Sequence, residues 1–151
     1  MLRGVFMILK QFNCIKEEQI NEIERLLKIK FPEDYRAFLL KNNGGVVEKN
    51  EENVIQVKNI EEEIIIDVLF GIVEKEESDI CYWNQKMKED MLKDALIIGD
   101  DIIQGFIVML CSGENKGIYY WDDAYNFQNS NDENNMYWIA DSFDEFIKLL
   151  S

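Results

Sequence analysis

The stretch FPEDYRAFLLKNNGG, residues 31–45, constrains the fold more than any other part of the chain, because it specifies a helix with both of its ends. It contains the only proline, Pro32. In a first helical turn the missing N–H of proline costs nothing. The ring also disfavours helical backbone at Phe31, so any preceding helix must already have ended. Glu33 and Asp34 then place negative charge at the positive end of the helix dipole. Tyr35, Phe38 and Leu39 follow at i, i+3 and i+4 and form one apolar face. The run Asn42-Asn43-Gly44-Gly45 supplies residues that tolerate the left-handed backbone of a helix stop. Gly44-Gly45 is read as that stop in preference to a ligand-lining turn.

Upstream, KEEQINEIERLL (residues 16–27) puts Ile20, Ile23 and Leu27 on one face, with Leu26 beside them, and predicts a first helix that packs against the second. Downstream the period changes from helical to alternating. The segments VVEK, NVIQVK and EIIIDVLFGI are rich in β-branched residues and read as strands. In the third, Ile64, Ile66, Val68 and Phe70 are expected on one face, and the near-continuous apolar run suggests an inner strand. A helix is expected near Asp79 to Met87. ALIIGD, QGFIVMLC, GIYYWD and MYWIA are further strands, and NFQNSNDENN is a polar loop. The chain closes on DSFDEFIKLLS, where Ser142 and Glu145 match a capping box. Phe143, Phe146, Ile147 and Leu150 form its apolar stripe. This order implies one α+β domain: an antiparallel or mixed sheet, two N-terminal helices and a C-terminal helix. The domain is expected over residues 15–151, with 1–14 as an extension and with Met1 or Met7 as the start.

The chemistry available to this chain is narrow. Histidine is absent, which removes the commonest general base and every nucleophile–histidine pair. No phosphate-binding glycine motif or G-x-S-x-G is present. The three cysteines, Cys14, Cys81 and Cys111, are widely spaced and read as reduced thiols, with neither a disulfide framework nor a zinc site expected. The paired carboxylates Asp100-Asp101 and Asp122-Asp123, at strand ends, are the groups that could bind a cation or do acid–base work, and NSNDENN lacks the glycine and terminal Glu of a calcium loop. Solvated strand ends are the simpler reading, so no catalytic residue, metal or cofactor is expected.

Thirty acidic residues against sixteen basic ones give a net charge of −14, with a pI near 4.4. Such a surface repels phosphate backbones and disfavours nucleic acid as a partner. It keeps the chain soluble, and it would also speed encounter with a basic protein. No apolar run reaches the roughly 20 residues of a membrane helix, and no cleavage site follows the opening MLRGVFMILK. A cytoplasmic protein that engages neither nucleic acid nor membrane is expected, with its oligomeric state open.

Several of these residues together resemble the SUKH superfamily, the Smi/Knr family. They are Phe31-Pro32, Asp34-Tyr35, Phe38-Leu39 and Asn43-Gly44-Gly45, followed by LFGI at 69–72, LIIGDDIIQGFIVML, GIYYWDDA and the closing IADSFDEFIKLL. Two features depart from the family pattern: Phe31 stands where leucine is usual before the proline, and the turn Asp100–Gly105 is longer. The resemblance implies a non-catalytic α+β domain. Bacterial members neutralise secreted polymorphic or contact-dependent toxins, often nucleases or deaminases, by direct binding, and fungal members regulate cell-wall and glucan synthesis. A basic toxin domain is therefore the expected partner, with a cell-wall regulatory scaffold or a carboxylate-based enzyme as alternatives. Pro32, Tyr35, Asn43, Gly44 and Gly45 are expected to be structural. The partner face is expected to combine acids with exposed aromatics: Asp100, Asp101, Trp121, Asp122 and Asp123, with Tyr119 as a weaker candidate and the stretch Glu74–Asp79 as the fallback; strand alternation allows equally a core Trp121 with merely solvated aspartates.

Overall fold

The structure, a computed structural model, describes residues 9–49 and 54–150. Four α-helices occur among them: α1 (Glu17–Leu27), α2 (Glu33–Asn42), α3 (Ile80–Lys86) and α4 (Phe143–Lys148). Eight strands form the sheet: β1 (Leu9–Gln11), β2 (Gly45–Val47), β3 (Val54–Val57), β4 (Glu62–Leu69), β5 (Ala95–Asp101), β6 (Phe106–Leu110), β7 (Gly117–Trp121) and β8 (Met136–Ala140). Their order is β1-β2-β4-β5-β6-β7-β8, with β3 paired to the first half of β4. Every strand pair is antiparallel, which decides between the antiparallel and mixed sheets the sequence allowed. Leu9–Gln11, within the extension expected over residues 1–14, pairs with β2 as the edge strand. The question of Met1 against Met7 lies outside the described residues.

The first two helices meet as their sequences require. Ile20 and Ile23 of α1 are buried, while Leu26 stays 54% exposed. Arg36 of α2 reaches back to Glu24 at 2.6 Å and Glu17 at 3.3 Å. Glu24 also accepts from the Phe31 N–H at 2.7 Å, which fixes the entry to α2. Pro32 is the N-cap, with extended backbone. Tyr35 packs edge-on to Phe143 of α4 and beside Phe31, so the opening motif forms the centre of the helical layer.

The stop of α2 is carried by Asn43, at φ 44°, and not by a glycine. Its side chain explains the choice. The carboxamide oxygen accepts from the Ile72 N–H at 2.8 Å, and the amide donates to Asn13 and Ile72 carbonyls at 2.8 and 3.1 Å. The N-G-G and L-F-G-I motifs thus bind each other. Gly44 follows at φ 73°, where a Cβ would lie 2.3 Å from the Leu69 carbonyl oxygen.

Helix α3 begins where expected, with Asp79 capping the Tyr82 N–H at 3.0 Å. Its Asn84 is buried and bonds to the N–H and carbonyl of Ile97, continuing the edge of β5 beyond the end of β4. One alternation expected from sequence breaks. A bulge between Ile66 and Val68 shifts the register, so Ile64, Ile66, Leu69 and Phe70 are buried while Val68 is only half-buried. Bulges of this kind turn the side chains that follow toward the other face.

Candidate partner-binding surface

The carboxylates singled out in the sequence are brought to one end of the sheet, but two of them point inward. Asp101 is 2% exposed. Its Oδ1 accepts from the Gly105 N–H at 2.8 Å and from the Tyr120 hydroxyl at 3.0 Å. Gly105 must lack a side chain, since a Cβ would sit 1.9 Å from that hydroxyl. The β5–β6 turn, Ile102 to Gln104, is closed by Gln104 in the left-handed region at φ 69°. Asp122 has no solvent exposure and organises the β7–β8 loop. It accepts from the N–H groups of Asn126 and Phe127 at 2.9 and 2.8 Å and from the Ser130 hydroxyl at 2.5 Å. Ser130 is in turn 2.7 Å from the Tyr137 hydroxyl. Both aspartates are therefore corrections to the expected partner face. Their oxygens satisfy the backbone of two loops that would otherwise bury unpaired donors.

The other candidates divide as well. Trp121 is 7% exposed and packs on Phe106, directly opposite it on β6. It is a core residue rather than an exposed anchor, because the sheet face it shares is covered. Tyr119 is half-buried, and its hydroxyl donates to the Asn115 carbonyl at 2.7 Å, at the far end of β7 from the carboxylates. Asp100 is half-buried and accepts from the Val68 N–H at 3.0 Å within the β4 bulge. Burial pushes its carboxyl up to about 7; the Val68 hydrogen bond pulls against this, and the neighbouring Asp67 and Asp101 add to it. Burial likewise raises Asp101 to about 6, with the Gly105 and Tyr120 bonds opposing. Asp123 alone of the six is exposed, and its carboxyl is raised by partial burial and then by Asp90 and Asp122.

Three residues that sequence reasoning passed over occupy the surface instead. Ile102 and Ile103, at the tip of the β5–β6 turn, are 50% and 40% exposed, and Tyr125 of the β7–β8 loop is 47% exposed. The Asn126 amide donates to the Ile103 carbonyl at 3.1 Å and joins the two loops. The Tyr125 hydroxyl donates to Asp132 at 2.7 Å. A signal was present: two adjacent β-branched residues between Asp101 and Gly105 cannot both enter the core from a hairpin tip. The result is a small apolar patch on two loops braced from below, with Asp123, Asp132 and Glu133 exposed on the β7–β8 loop that carries Tyr125.

Among the described residues no group of three His, Cys, Asp or Glu side chains is placed to hold a metal ion. No helix among them is long and apolar enough to cross a membrane.

An antiparallel eight-stranded sheet, a layer of helices and a braced apolar loop patch define a single-domain α+β protein with a surface suited to protein contact. Residues 14–149 match the SMI1 / KNR4 family (SUKH-1), and the chain belongs to that family. A comparison with curated proteins gave no significant match.

Proposed function

We propose that the chain is a non-catalytic binding protein of the immunity type, acting in the cytoplasm, that neutralises a basic toxin domain by covering it. The observation that carries this reading is the exposed trio Ile102, Ile103 and Tyr125, held on loops whose backbones are fixed by Asp101 and Asp122. Apolar side chains on pre-ordered loops lose little entropy on binding and can act as anchors. The net charge of −14 adds long-range attraction for a positively charged partner such as a nuclease domain, which must itself attract phosphates. Family membership supports a binding role of this general kind. The two most prominent carboxylates, Asp101 and Asp122, are engaged in loop architecture, which leaves the carboxylate-enzyme alternative without its best candidates.

The test is surface-binding kinetics against any toxin domain encoded beside this chain. Ile103→Asp should speed dissociation at least about tenfold, or 1.4 kcal/mol, while the melting temperature stays at the parent value. Asp123→Asn should slow association, with a deficit that shrinks as salt rises. Parent-like rates for both variants would move the interface off these loops, and failure of the parent to bind any neighbouring toxin would remove the immunity reading itself.

A further inference from the structure

The segment Lys88–Asp94 forms a ridge between two clefts of opposite character. On one side is a groove of about 340 Å³ between the end of α1 and the chain leading into β5, lined by Leu26, Lys28, Lys88, Leu92 and Lys93. On the other is a cleft of about 250 Å³ floored by Val108 and Trp121 and rimmed by Asp90, Asp132 and Glu133. Met91, Leu92 and Ala95 line both. Leu92 is 61% exposed, the most exposed large apolar side chain among the described residues, and Leu26 is 54% exposed.

The charges on the two sides are uncompensated. Arg25, Arg36, Lys49 and Lys75 each pair with a carboxylate. Lys28, Lys88 and Lys93 form no ion pair among the described residues, although acidic groups outnumber basic ones thirty to sixteen. The one carboxylate lining the lysine groove, Asp94, accepts from the Ser112 hydroxyl at 2.8 Å. Across the ridge, Asp90 and Glu133 have no cationic partner among the described residues. Asp132 accepts from Tyr125 and likewise has no cationic partner there.

A patch with a lysine groove on one side of an exposed leucine and an acidic cleft on the other is complementary to itself. Rotation by a half-turn about an axis through Leu92 lays the groove of one copy on the cleft of the next, and the reverse, with the leucines meeting at the centre. The geometry points to a second copy of this chain as the occupant, in a two-fold dimer centred on Leu92. Each side-chain pairing then occurs twice, as an isologous interface requires. The like net charges of two copies oppose this, but beyond the Debye length of about 8 Å at physiological ionic strength they are largely screened, whereas the pairs across the ridge are close. The dimer does not depend on the toxin-binding reading: Leu92, Lys88 and Lys93 lie off the loop patch, although Asp132 and Glu133 belong to both surfaces.

Sedimentation velocity over a concentration series tests it. The parent should reach about twice the 17.9 kDa of one chain at high micromolar concentration. Leu92→Asp, at a site exposed enough to leave the fold intact, should weaken dimerisation at least about tenfold. The double variants Lys88→Glu/Lys93→Glu and Asp90→Lys/Glu133→Lys should each be monomeric, with the circular dichroism melt of the parent. Mixed in equal amounts, those two should form a heterodimer, because each reversed pair then faces side chains of opposite charge on the other variant. A parent that stays monomeric overturns the proposal. So do variants that dimerise like the parent, and so does a mixture that remains monomeric.

Discussion

Replacing Asp122 by alanine separates the two roles that a carboxylate at the head of the β7–β8 loop can have. In the structure it is fully buried and holds three donors, the Asn126 and Phe127 N–H groups and the Ser130 hydroxyl, at 2.9, 2.8 and 2.5 Å. Hydrogen bonds to a charged group are each worth roughly 1.5–3 kcal/mol, so the gross loss is about 5–9 kcal/mol. Alanine also removes a buried charge, and relief of that desolvation offsets several kcal/mol. The net loss expected is about 3 kcal/mol, within the range of severe single substitutions. In a domain of this length it corresponds to a melting temperature lower by about 6–12 °C. Thermal melts followed by circular dichroism, with urea titrations to check that the slope m is unchanged, measure it. Asp122→Asn keeps one acceptor oxygen and should lose about half as much by the same reckoning. Binding should fall with stability, because Tyr125 rides on the loop that Asp122 orders. An alanine variant that melts like the parent yet no longer binds a partner would refute the reasoning, since Asp122 would then be a contact residue and not a brace.

Gly44→Ala should cost about 2 kcal/mol or more, read as a lower urea midpoint. Its φ of 73° disfavours any side chain, and the new Cβ would meet the Leu69 and Phe70 carbonyl oxygens at 2.3 and 2.6 Å; a parent-like midpoint would mean that the α2–β2 junction relaxes freely. Asp100 has its carboxyl raised from 3.8 to about 7 by burial, so the native state holds more protons than the unfolded chain in that window. Stability contributed by this group is then fully present below about pH 4 and is lost as pH rises toward about 7. Asp100→Asn should flatten that fall in melting temperature and still accept from the Val68 N–H; an unchanged slope would place the proton elsewhere.

The helices were legible because their ends are written in local chemistry. Pro32, Asp79 and Ser142 each act within one turn, and the structure places them at the N-caps of α2, α3 and α4. The strands were legible from β-branched runs, yet their faces were not. Alternation assigns Trp121 and Tyr119 to one side of β7 without saying whether that side is covered, and coverage depends on Phe106, Trp83 and Met136 arriving from elsewhere in the chain. The bulge at Ile66/Val68 defeated a two-residue period in the same way. Aspartates at strand ends look alike in sequence. Asp122 and Asp123 are adjacent, but only tertiary placement makes the first a buried brace and the second a surface charge. Edge strand β1 was missed because three residues of LKQ carry no period at all.

The division of labour between these neighbours bears on how such a surface can change partner. The loops are held from inside by Asp101 with Gly105 and Tyr120, and by Asp122 with Ser130 and Tyr137. None of these atoms belongs to Ile102, Ile103 or Tyr125, the side chains that meet solvent. Substitutions at the three exposed positions leave these bracing hydrogen bonds in place, as they do the one from Asn126 to the Ile103 carbonyl, a backbone acceptor that survives any side chain; only the Tyr125 hydroxyl bond to Asp132 goes with its side chain. Their cost to the fold is therefore that of ordinary surface changes, within about 0.5 kcal/mol, while their effect on a partner can be the several kcal/mol of an anchor residue. A surface built this way alters specificity by replacing its tips while the carboxylates beneath them stay the same.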